Sequence, residues 1–86
     1  MNEAATFDQY FSIYPNPTDG IVNVNYFGVW NAEMTIDILD ITGKVVSSYT
    51  TNAYSYTLDL SVLAAGVYTM KIVGEGGIAT KKISLL

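Results

Sequence analysis

The 86-residue sequence contains no cysteine, no histidine and no arginine. Without cysteine it has neither a disulfide nor a thiolate. Without histidine as well, the usual nucleophile–base pairs cannot be assembled within the chain. Its only cationic side chains are lysines, four of them against eight acidic residues, for a net charge of −4. That balance lacks the clustered basic footprint of a nucleic-acid binder and the polybasic segment that an anionic membrane surface attracts. No apolar run approaches the roughly 18 residues that span a bilayer. The opening Met1-Asn2-Glu3-Ala4-Ala5-Thr6 has neither the basic region nor the apolar stretch of a signal peptide. An exported protein of this sequence is therefore expected to carry its signal upstream, with Met1 added to a fragment.

What is present points to one small globular unit. The length suits a single domain, and such a domain buries only about 60% of the surface its unfolded chain exposes. Half the residues are hydrophobic, 13% are aromatic and 14% are charged, far from the polar, highly charged composition of a disordered chain.

Apolar residues recur at every second position between turn residues, the mark of half-buried strands. Met34, Ile36 and Ile38 alternate with Thr35 and Asp37; Val22, Val24 and Tyr26 alternate with Asn23 and Asn25. Tyr56, Leu58 and Leu60 alternate with Thr57 and Asp59, and Tyr68, Met70 and Ile72 with Thr69 and Lys71. Phe11 and Ile13 predict a short first strand, and Val45 or Val46 through Tyr49 another. In the last strand, Ala79, Lys81, Ile83 and Leu85 oppose Ile78, Thr80 and Lys82, and the pattern leaves open which set faces inward. No segment predicts a helix.

The joints carry their own chemistry. Tyr14-Pro15-Asn16-Pro17-Thr18-Asp19-Gly20 reads as a rigid corner, since each proline fixes its own φ and restricts the residue before it. Asp40-Ile41-Thr42-Gly43 suits a type I turn, with Asp first and Gly fourth, and Gly74 to Gly77 a hairpin tip in place of a phosphate-binding loop. About seven short strands at regular spacing predict an all-β, immunoglobulin-like sandwich of two sheets. The residues expected inside are Met34, Ile36, Ile38, Leu58, Leu60, Tyr68, Met70 and Ile72. Leu63, Gly66 and Tyr68 have the spacing of a tyrosine corner, in which a strand-leading hydroxyl bonds back to upstream backbone. Leu63 and Tyr68 are thus structural candidates.

Residues that could carry chemistry are few. Asp37, Asp40 and Asp59 are of the type used as paired carboxylates or calcium ligands, but read more simply as solvent-facing strand residues and a turn-capping Asp40. No cofactor, metal site, small-molecule substrate or enzymatic activity is expected. Trp30, with Tyr10, Tyr14, Tyr49 and Tyr54, could build an aromatic sugar- or protein-binding platform. Strand packing accounts for the tyrosines, while Trp30 falls in a predicted loop, where function concentrates.

Four ordered blocks carry a family resemblance. They are Phe11-Ser12-Ile13-Tyr14-Pro15-Asn16-Pro17 with Thr18-Asp19-Gly20; Ile36-Asp37-Ile38-Leu39-Asp40-Ile41-Thr42-Gly43-Lys44-Val45-Val46; Leu58-Asp59-Leu60-Ser61 through Leu63, Ala65, Gly66, Val67 and Tyr68; and Thr80-Lys81-Lys82-Ile83. In this order and spacing the chain resembles the C-terminal sorting domain of the type IX (Por) secretion system of Gram-negative bacteria. The resemblance covers Phe11 to Leu86 and divides the chain into a linker over 1–9 and a sorting domain over 10–86. It departs at Lys44, where arginine is common in the family, and at Ser84-Leu85-Leu86, which lacks the basic residue many members carry near the terminus.

The resemblance implies a non-catalytic label, here taken as a monomer, at the end of an N-terminally fused cargo. The cargo would pass through the periplasm and cross the outer membrane to the cell surface or the medium, by way of the type IX machinery. A sortase-like surface protease would then remove the label. Recognition candidates are Pro15, Asn16, Pro17, Asp40, Gly43, Lys44, Gly66, Lys81 and Lys82. An edge strand near the end of the chain would suit reading by strand addition. Two other readings fit the same fold, which hosts many functions: a surface adhesion or carbohydrate-binding module served by Trp30 and exposed tyrosines, and a spacer between domains.

Overall fold

A computed structural model describes residues 7–28 and 33–86. Seven strands follow one another: β1 (Phe11–Tyr14), β2 (Ile21–Tyr26), β3 (Met34–Leu39), β4 (Val45–Thr51), β5 (Ser55–Asp59), β6 (Gly66–Gly74) and β7 (Gly77–Leu85). They form two antiparallel sheets, ordered β1-β2-β5 and β4-β3-β6-β7. This is the all-β, immunoglobulin-like sandwich that the alternation predicts. The helical exception among the described residues is one 3-10 turn at Phe7–Tyr10, beside β7.

Both sheets turn their apolar rows inward, and all eight residues expected inside are buried. Val22, Val24 and Tyr26 of β2 and Leu58 of β5, with Leu60 just beyond it, face Met34, Ile36 and Ile38 of β3 and Tyr68, Met70 and Ile72 of β6. Phe11 on β1 closes the margin, its ring centroid 5.0 Å from that of Tyr26. Each fully buried aliphatic side chain contributes about 1.5–3 kcal/mol through removal from water.

The ambiguous last strand resolves in favour of the odd positions. Ala79, Ile83 and Leu85 are buried, whereas Ile78, Thr80 and Lys82 are exposed. Lys81 shares the inward row but is only half-buried. It lies on a strand at the sheet margin, where a long aliphatic stem can lie against apolar neighbours while the ammonium stays in water.

Turn chemistry joins the strands as their sequences require. Between β3 and β4 the Gly43 amide donates to the Asp40 carbonyl at 3.0 Å, and the Asp40 amide to the Lys44 carbonyl at 2.9 Å. Gly43 has φ of +89°, the glycine-favouring position that ends a type I turn in a three-residue hairpin loop. The β6–β7 hairpin closes on the pair Gly74 and Gly77, leaving Glu75-Gly76 as its tip.

Candidate functional site

Of the recognition candidates, the Pro15–Pro17 corner, the Asp40–Lys44 turn and Gly66 lie at one end of the four-stranded sheet, while Lys81 and Lys82 lie at the middle of β7. The register aligns Leu39 of β3 with Thr69 of β6, and Thr69 with Lys82 of β7. The Asp40–Lys44 turn therefore lies at the end of the sheet where Gly66 begins β6 and pairs with Leu85. The Pro15–Thr18 corner reaches the same end, through a parallel bridge between Thr18 and Leu85.

That corner is fastened to β7 by a side chain acting as a strand would. The Asn16 Nδ2 donates to the Lys82 carbonyl at 2.7 Å, and the Asn16 Oδ1 accepts from the Ser84 amide at 3.0 Å. The contact continues through backbone: the Thr18 amide donates to the Ser84 carbonyl at 2.9 Å, and the Leu86 amide to the Thr18 carbonyl at 2.8 Å. Thr18 is 1% exposed. Its hydroxyl donates to the Ile21 carbonyl at 2.6 Å and accepts from the Gly20 amide at 3.1 Å. Every polar group of this buried residue thus has a partner, as burial demands. Pro15, Asn16 and Pro17 are exposed, with cis bonds at Tyr14-Pro15 and Asn16-Pro17. The corner joins the margin of one sheet to the margin of the other.

The two lysines of β7 stand on opposite sides of the strand. Lys82 is exposed beside the Asn16 contact, and Lys81 faces the other way, half-buried, in register with Met70. The edge of β7 from Lys82 to Leu86 is bonded to Asn16 and Thr18, so strand addition there meets backbone that is already paired.

The carboxylates are occupied with local structure. Asp40 Oδ1 accepts from the Thr42 hydroxyl at 2.6 Å, the Thr42 amide at 2.9 Å and the Lys44 amide at 3.1 Å. These bonds, the Thr42 hydroxyl first among them and the Lys44 charge last, hold its pKa below the usual aspartate value. The Ser61 hydroxyl and amide do the same for Asp59. Asp37 accepts from the Ser48 hydroxyl at 2.6 Å. Among the described residues no group of three or more acidic side chains could hold a metal ion.

Tyr68 forms the expected corner: its hydroxyl donates to the Ala64 carbonyl at 2.5 Å, while Leu63 packs half-buried against the core. The tyrosines considered for a binding platform divide. Tyr10 and Tyr49 pack against the core, whereas Tyr14 and Tyr54 are half exposed. Trp30 lies outside the described residues.

The corner, the turn, the tyrosine corner and the last strand follow in the order of one known architecture. The model of the secretion system C-terminal sorting domain, the label of type IX export, matches residues 12–85. The chain belongs to that family. No curated protein matches it. Sorting domains of this family are not known as catalytic. Membership implies interaction with the type IX secretion machinery and export to the cell surface or the extracellular space.

Proposed function

We propose that this sorting domain is read as a folded surface, formed where the Pro15–Thr18 corner meets the end of β7. The single observation that carries the reading is the two-pronged bond of Asn16 to Lys82 and Ser84, which brings the first and last blocks of the sequence into one patch. Around it the Asp40–Lys44 turn and Gly66 occupy the same end of the sheet. Lys82 supplies an exposed charge beside the corner, suited to steering a partner.

On this reading an N-terminally fused cargo passes through the periplasm, and the machinery engages the patch at the outer membrane. A sortase-like protease at the surface then separates the domain from its cargo. The domain itself contributes shape, charge and stability, none of which needs a reacting group.

The test is a fusion of the domain to the C-terminus of a fluorescent protein bearing an export signal, expressed in a host with the type IX machinery. The intact fusion should reach the surface or the medium. Lys82→Gln keeps strand length and should lower export without changing the melting curve, since Lys82 is exposed. A well-folded intact fusion that stays in the periplasm would refute the sorting role. Full export by Lys82→Gln together with Asn16→Ala would refute the placement of the surface.

A further inference from the structure

The three-stranded sheet turns a neutral face to solvent. On β1, β2 and β5 the one charged residue is Asp59, which pairs with Ile21 at the start of β2. Side chains alternate between faces along a strand, so the burial of Val22, Val24 and Tyr26 turns Asn23 and Asn25 outward. The ladder continues one step beyond β2, where the Phe27 amide donates to the Tyr10 carbonyl at 2.7 Å. Phe27 follows the two asparagines on this face and is 67% exposed.

Tyr14 leans across the same face. Its register partner is Asn23, yet its hydroxyl accepts from the Asn25 Nδ2 at 2.8 Å. Asn25 is the diagonal neighbour, paired with Ser12, and an aromatic side chain reaches that far only by lying along the sheet. One face of the ring then covers the ladder and the other meets solvent, in agreement with its 47% exposure. The neighbouring amide is also held. Asn23 Nδ2 donates to the Tyr14 carbonyl at 3.4 Å, and Asn23 Oδ1 accepts from the Thr57 hydroxyl at 3.1 Å. Asn25 Oδ1 meets no donor among the described residues.

This chemistry selects its ligand. All four lysines lie on the other sheet or in its β3–β4 turn, so a phosphate or carboxylate finds no cation here. Strand spacing and rise make the face about 14 by 17 Å, on the order of 250 Å², against about 800 Å² per partner in a stable protein interface. It is too small for a protein or a second copy. An open aromatic face beside fixed amides suits the apolar C–H face and the hydroxyls of a sugar ring.

We propose that the outer face of β1, β2 and β5 binds a neutral oligosaccharide. One sugar ring stacks on Tyr14, and its hydroxyls bond to Asn25, whose Oδ1 accepts and whose second Nδ2 hydrogen donates. A neighbouring ring reaches Phe27, two residues or about 7 Å along the strand direction from Asn25.

The site is independent of the export reading, and its test needs no secretion host. The isotope-labelled domain is titrated with cellohexaose, mannohexaose and xylohexaose, with an oligogalacturonate as the charged control. At millimolar concentration at least one neutral sugar should shift the side-chain amides of Asn23 and Asn25 and leave the β7 amides unmoved. Phe27→Ala, at an exposed position, should weaken that binding by about tenfold while the melting curve stays that of the parent. Asn25→Ala should also weaken it, and Tyr14→Phe, which keeps the ring, should weaken it less than Tyr14→Ala. Phe27→Ala carries the test should Tyr14→Ala melt early. No shift with any of the three neutral sugars would overturn the proposal, as would full affinity in both Phe27→Ala and Asn25→Ala. Tighter binding of the oligogalacturonate would overturn the neutral class of ligand.

Discussion

The hydroxyl of Tyr68 donates to the carbonyl of Ala64, four residues upstream, and so ties the entry of β6 to the connection that leaves β5. Ala64 is exposed and Tyr68 is only 9% exposed, so one ring serves both as core and as a fastener for the loop outside it. Tyr68→Phe removes only the bond and should cost about 1 kcal/mol. Tyr68→Ala also opens a cavity and should cost about 3–5 kcal/mol, a large share of the stability of so small a domain. Urea melts measure both, and an alanine variant as stable as the parent would show that the ring is not part of the core.

Asn16→Ala should free the Lys82 carbonyl and the Ser84 amide. Because the site is exposed, water replaces part of what is lost, and the expected cost is about 1 kcal/mol. The sharper readout is hydrogen exchange at Ser84, which should accelerate while exchange at Ile83, on the β6 side of the strand, is little affected. Equal acceleration at both would mean that the whole strand depends on Asn16.

Gly43→Ala should destabilise the domain by about 1–2 kcal/mol, because φ of +89° places a Cβ against the following carbonyl. No neighbour lies within 4 Å of the added carbon, so the cost is conformational and not one of crowding. Gly43→Asn should cost less than Gly43→Ala, and thermal melts that rank them the other way would exclude this cause.

Stability should fall in acid partly through Asp40 and Asp59. Both have folded pKa values below the unfolded one. Their contribution is therefore complete above the ordinary aspartate value, about 4, and disappears as pH drops through the lower folded values. Asp40→Asn should flatten the loss of melting temperature in that window. A variant whose pH profile overlays that of the parent would show that the Asp40 turn carries none of the effect.

Much of this architecture was legible because it is local. Period-two alternation identified the strands, and the Asp40 and Gly43 spacing identified a turn whose two bonds span five residues. The Tyr68 corner was legible for the same reason, its partner being four residues away. Three features were not legible. Thr50 and Thr51 extend β4 with no apolar alternation to announce it. Lys81 sits on the inward row because the margin of a sheet tolerates a long stem, which made the last strand ambiguous. Asn16 meets Ser84 across 68 residues of sequence; its position in a two-proline corner signals rigidity but says nothing of what the amide grasps.

That long reach also sets when the patch can exist. A chain emerging from synthesis makes the corner early and β7 last, so the two cannot meet until nearly the whole domain has formed. Pairing of such high sequence separation is slow compared with local turns, and it is withdrawn whenever β7 detaches. A surface assembled this way is a certificate of completed folding: truncated or collapsed chains carry every motif before β7 yet cannot display it.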